Sequence, residues 1–77
     1  MVDLRNLSRL VYGNGFTIWH YQTIDSMQVV LHEGYFNSAA GMLSEGDKIE
    51  VSSAYHGFSL FVRGVLEPDF VWVQYWG

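Results

Sequence analysis

His20, His32 and His56 are the residues of this chain best suited to hold a metal or move a proton. A helical metal site places two imidazoles on one face, as in H-x-x-x-H or H-E-x-x-H. These three lie 12 and 24 residues apart, and His32-Glu33 opens such a motif without its second histidine. Cysteine is absent, which removes thiolate metal sites and disulfides together. Ser38, Ser44, Ser52, Ser53 and Ser59 all lack the G-x-S-x-G setting of an activated serine. Two carboxylates could in principle pair as acid and base. A chain of 77 residues offers little scaffold for a catalytic pocket of roughly 300–1,000 Å³. The expectation is no enzyme, no cofactor and no metal.

Size turns attention to assembly. Seventy-seven residues make one domain, and a domain this short buries only about 60% of its unfolded surface. Small domains compensate with disulfides, metals or oligomerisation, and in a chain without cysteine oligomerisation is the leading candidate. Hydrophobic residues make up 49% and aromatic residues 17%, well outside the disordered range. Net charge is −4. Asp3, Arg5 and Arg9 leave residues 1–12 at +1, so the remainder carries −5. An acidic body is a poor match for phosphate backbones, so no nucleic-acid partner is expected. No apolar run reaches the ~18 residues of a membrane span, and no basic region precedes an apolar one as in a signal peptide. A soluble chain, used without secretion, is the expectation.

The elements read as follows. Residues 1–14 are expected to be an N-terminal arm and 15–77 a single β-rich domain. In the arm, Leu4, Leu7 and Leu10/Val11 fall at helical spacing behind Asp3, though Asn6 and Ser8 weaken a helix. The arm is either a poorly ordered terminus or a tether that lays Leu4, Arg5, Leu7 and Arg9 on a neighbouring subunit. Gly13-Asn14-Gly15 marks a turn. FTIWHYQT then reads as a strand with Thr17, Trp19 and Tyr21 on one face and Phe16, Ile18 and His20 on the other. In IDSMQVVLHEG, Asp25 and Gln28 fit a capping box and Gly34 a helix end. Val29-Val30-Leu31 suits a strand as well; one or two helical turns are favoured. Asn37 is expected to cap a second short helix.

Gly46-Asp47 turns into a strand with Ile49 and Val51 inward and Lys48 and Glu50 outward. After a turn at Ala54 to Gly57, FSLFVRGVLE places Phe58, Leu60 and Val62 on one side and Phe61 and Val65 on the other. Pro68 ends it, since proline cannot donate to a ladder. The predicted fold is mainly β: a small antiparallel β-sandwich or barrel of four to five strands in hairpin order, with one or two short helices.

The last strand is apolar on both faces. Phe70, Trp72, Gln74 and Trp76 alternate with Val71, Val73 and Tyr75. The face with Phe70, Trp72 and Trp76 offers roughly 500 Å², an upper bound of about 10 kcal/mol if buried. The domain's core can cover one face. The other is expected to meet protein, with Phe70, Trp72, Tyr75 and Trp76 as subunit contacts. Aromatic platforms also suit sugar rings, so a carbohydrate-binding module is the competing reading.

GYFNSAAGMLSEGDKIEV, residues 34–51, together with FTIWHYQTIDS upstream, resembles small virion proteins of tailed bacteriophages. Gly34, Tyr35, Phe36, Asn37, Ala39, Leu43, Gly46 and Asp47 carry the resemblance, over about half the chain. It implies a capsid decoration (cement) protein on the virion surface, made in the host cytoplasm and bound to the major capsid protein. Such proteins often act as trimers. A module of a tail fibre or spike that recognises host glycans is the alternative. The motif residues are implied to be structural: glycines for turns, Asn37 for a cap, Tyr35 and Phe36 for packing.

Overall fold

Alternation sorts each strand's residues onto two sides, and the segment that crosses the sheet decides which side is covered. In the computed structural model, which describes residues 2–12, 15–54, 56–66 and 69–76, five strands form one sheet. They are β1 (Leu7–Tyr12), β2 (Thr17–Gln22), β3 (Lys48–Ser52), β4 (Gly57–Leu66) and β5 (Phe70–Tyr75), ordered β1-β2-β3-β4-β5 across the sheet. The class is mainly β, as the sequence predicts. The sheet is open rather than closed into a barrel, so β1 and β5 are its outer strands.

Hairpin order holds for three of the four neighbouring pairs and is corrected at the second. β2 and β3 are parallel, with Trp19 beside Ile49 and Tyr21 beside Val51. Residues 23–47 cause this. A crossover of that length carries the chain back over one face, so β3 starts from the same end as β2. Its one α-helix, α1 (Met27–Val30), is a single turn. Ser26 rather than Asp25 caps it, its Oγ accepting from Val29 N–H. A 3-10 turn follows at Asn37–Ala39, and its cap position is Phe36, with no side-chain bond. Asn37 is therefore not a helix cap, and its side chain acts on β5.

The crossover supplies the lid of the core. Val30, Tyr35, Phe36, Ala39 and Leu43 pack on Trp19, Tyr21, Ile49, Val51, Leu60 and Val62 from the strands. Tyr21, Tyr35 and Phe36 meet edge to face, with centroids 5.1–6.1 Å apart, the arrangement that ring quadrupoles favour. Asp3 N–H donates to Tyr21 Oη, and Tyr35 Oη donates to Asp25 Oδ2 at 2.7 Å. With the Tyr35 proton so placed, Tyr21 is the donor in the 2.8 Å bond between the two hydroxyls. Burial, then these bonds, pushes the Tyr35 hydroxyl well above its ordinary value of 10.0.

Two bulges reset the strands' faces. On β4 the register shifts between Val62 and Gly64, leaving Arg63 as the extra residue. Val65 then pairs with Val71 and packs on the core, instead of sharing Phe61's outer face as simple alternation predicts. A second bulge sits between Arg9 and Val11.

The expected arm is also corrected. A 3-10 turn at Leu4–Asn6, capped by Asp3, leads directly into β1, which pairs with β2. Val2 and Leu7 are each only 6% exposed within the core. This segment belongs to the domain because its β1 backbone has a ladder partner and Leu7 a place in the core. The turn residues Gly13 and Asn14, the break at Glu67-Pro68, and Tyr55 lie outside the described residues. The Cα radius of gyration is 11.2 Å, matching the roughly 11.5 Å of a compact single chain of this length.

Candidate functional site: the outer face of β4 and β5

Asp47 builds the frame beneath the site. It is 3% exposed, and its carboxylate accepts from Thr17 N–H at 3.1 Å, Trp19 Nε1–H at 3.0 Å and Ser44 N–H at 3.0 Å. Its carbonyl accepts from Val62 N–H at 2.8 Å. One residue thus joins β2, the crossover and β4. Gly46 beside it has φ +94°, a conformation that L side chains rarely adopt. Gly34, at φ +88°, turns the crossover toward Tyr35. Asn37 Oδ1 accepts from Val71 N–H at 3.0 Å, tying the crossover to β5. The motif residues have structural places: Gly34 and Gly46 through their backbone conformation, and Asn37 and Asp47 through side-chain hydrogen bonds.

β5 shows which of its two apolar faces the fold uses. Val71 is buried and Val73 packs against the core, whereas Trp72 is 54% exposed and Trp76 52%. The valines pair with Val65 and Val62 under the crossover. On the other face Trp72 lies opposite Gly64 and Gln74 opposite Phe61. Phe70 is half-buried, and Tyr75, at the strand's end, is 48% exposed. Of the four residues expected to make subunit contacts, Phe70, Trp72 and Tyr75 lie on β5 and Trp76 just past its end, Tyr75 alternates with the valines, and all but Phe70 are open.

The exposed rings are held in place. The Trp76 ring meets Phe61 edge-on at 5.3 Å and carries Lys48 Nζ over its face at 5.0 Å. Lys48 in turn bonds Glu50 Oε1 at 3.0 Å, and Ser59 Oγ donates to Glu50 Oε2 at 2.9 Å. The Lys48 bond is the chief reason the Glu50 carboxyl sits below its ordinary value, with Ser59 adding to it. Arg63, set outward by the bulge, lies over Trp72 at 5.7 Å and donates to Gln74 Oε1 at 2.7 Å. Such cation–ring contacts contribute about 0.5–1 kcal/mol at exposed sites. Phe61, Arg63, Gln74, Tyr75 and Trp76 line an open depression of about 340 Å³. The face is preorganised, apolar at its centre and polar at its rim.

Phe61, Arg63 and Lys48 are the members that strand-by-strand reading misses. They come from β3 and β4, and only the sheet register brings them to Trp72 and Trp76. The expected arm residues scatter instead. Leu4 is exposed, Leu7 is in the core, Arg5 bonds Asp3 within the chain, and Arg9 lies over Trp19 at 5.7 Å.

The histidines go to unrelated places. His20 bonds Ser52 Oγ, His32 the carbonyl of Glu33, and His56 lies beside Phe58. Among the described residues no group of three or more histidines and acids is placed to hold a metal, and no helix is long and apolar enough to cross a membrane. Comparison with protein-family models, with curated proteins and with solved structures returns no match.

Proposed function

We propose that this chain is a structural protein of a tailed-phage virion, of the decoration (cement) kind. It binds the outer capsid shell as a trimer and stabilises the head by bridging capsid subunits. The observation that carries the reading is the tryptophan face: Trp72 and Trp76 stay open although the core beneath is complete without them. With Tyr75 and Leu66 they leave roughly 400–500 Å² of apolar surface, the size of a monomer's largest patch, which is often functional. A stable contact buries about 800 Å² per partner, so sibling copies and shell together account for more than this face alone.

The mechanism needs no bond chemistry. A protein that binds the assembled shell and not its separated subunits stabilises the assembly by mass action, by about 2.7 kcal/mol per site at a hundredfold excess over Kd. The residues from Gly34 to Asp47 that carry the resemblance hold the crossover and so keep the outer face in shape.

The test is co-sedimentation with assembled shells. Replacing Trp72 and Trp76 by alanine should weaken binding by at least about a hundredfold, as loss of two central anchors does. Unchanged binding by this variant would overturn the proposal. The glycan-recognition reading rests on Trp72 and Trp76 standing open on the same side of the sheet, as aromatic platforms for sugar rings do. It predicts instead a shift of tryptophan fluorescence on adding host glycans, with no affinity for shells.

A further inference from the structure

The motif at Gly34 to Asn37 also builds a groove. It lies between the crossover and β5, holds about 340 Å³, and is lined by residues 31–36 on one side and 70–73 on the other. That volume is at the low end for ligand sites. Asn37 clamps the two sides together. Its Oδ1 accepts from Val71 N–H at 3.0 Å, and a Cβ at Gly34 would come within 3.3 Å of its Nδ2. Tyr35 and Phe36, both buried, meet edge to face at 5.1 Å and give the groove a firm base.

Polar groups along the groove are left without partners. His32 Nδ1–H donates to Glu33 O at 3.0 Å, and since a carbonyl only accepts, Nε2 is the free acceptor of the neutral ring. The Glu33 side chain is exposed. Val71 N–H points away from β4, so Val73, two residues on, directs its N–H and C=O the same way. Among the described residues nothing meets the Glu33 carboxylate, His32 Nε2, Trp72 Nε1–H or these Val73 groups. Trp72, open on the outer face, borders the groove beside half-buried Phe70.

We propose that this groove binds an uncharged saccharide. Hydroxyl groups both donate and accept, so they match a carboxylate and an imidazole acceptor set beside indole and backbone N–H donors. The apolar side of a sugar ring matches Trp72 and Phe70. Glu33 and the net charge of −4 disfavour an anion, and the Arg63 guanidinium, 5.7 Å over the Trp72 ring, disfavours a cation. The inference goes beyond the shell contact and does not rest on it.

Amide chemical-shift mapping of the isolated chain with maltose, cellobiose, lactose and chitobiose at millimolar concentrations tests it. At least one of these should shift the Glu33, Gly34 and Val73 amides saturably, while glucuronate should not. Glu33→Ala should weaken binding at least tenfold, as loss of a hydrogen bond to a charged group does. Glu33→Gln keeps an acceptor oxygen and should lose less. Trp76→Ala lies outside the groove and should bind as the wild type does, which separates this site from glycan recognition by the outer face. No saturable shift with any of the four, a folded Glu33→Ala variant that binds normally, or loss of binding in Trp76→Ala would overturn the proposal. Shell co-sedimentation of Glu33→Ala should match the wild type, so failure of the groove and failure of the shell contact show separately.

Discussion

The two faces of β5 carry comparable apolar content and meet opposite fates. Val71 and Val73 lie beneath the crossover, while Trp72 and Trp76 face outward with Phe61, Lys48 and Arg63 around them. The inner face is closed by residues far away in sequence, which the parallel β2–β3 connection brings across the sheet. The outer face is organised by side chains of β3 and β4 that the sheet register brings to it. Burial therefore follows from which side the crossover takes, not from which side is more hydrophobic. The larger side chains are the ones left out.

Matched substitutions break or sharpen that contrast. Phe36→Ala, under the crossover, should cost about 4 kcal/mol in urea unfolding, since Phe36 is only 1% exposed and its neighbours collapse incompletely. That is a large share of the 5–15 kcal/mol that holds a domain together. Asp47→Ala should cost about 3 kcal/mol, because three donors lose one acceptor in the interior. Outside, Trp72→Ala and Trp76→Ala should each cost only about 1 kcal/mol, the worth of a ring or cation contact at the surface. If an outer tryptophan proved as costly as Phe36, the contrast between the faces would fail.

The smallest effect concerns pH. The Glu50 carboxyl lies below its ordinary value of 4.5 in the folded chain. The unfolded chain therefore takes up its proton first on acidification. The stability Glu50 contributes is complete above that value and is lost as pH falls through the lower folded one. Glu50→Gln should flatten the acid limb of stability against pH slightly, by less than about 1 kcal/mol, as expected of a half-exposed pair. An unaltered limb would mean that the Lys48–Glu50–Ser59 chain does not brace the outer face.

Much of this was legible locally. The shared faces of Thr17, Trp19 and Tyr21 and of Phe58 and Leu60, and the inward side of Ile49 and Val51, follow from two-residue alternation; that the first two sets face inward came from the fold. The Gly46-Asp47 turn and the helical turn near Met27 were legible as well, since glycine and a capping serine or aspartate act within a few residues. The alternation argument failed at Val65, where a bulge adds one residue and inverts the faces beyond it. The helical leucine spacing also misled at the N-terminus, where Leu7–Tyr12 pair with β2 as a strand.

Local residue patterns make the chain β-rich, place a turn at Gly46 and put apolar groups on both sides of the last strand. Those are consequences of side-chain type and spacing over a few residues. The folded chain alone shows that β2 and β3 run parallel, that the valine side is the covered one, that Asn37 serves β5 rather than a helix, and that β5 is an outer strand. Each of these depends on where distant segments come to lie. Packing free energy selects that arrangement for the chain as a whole, and no local pattern encodes it.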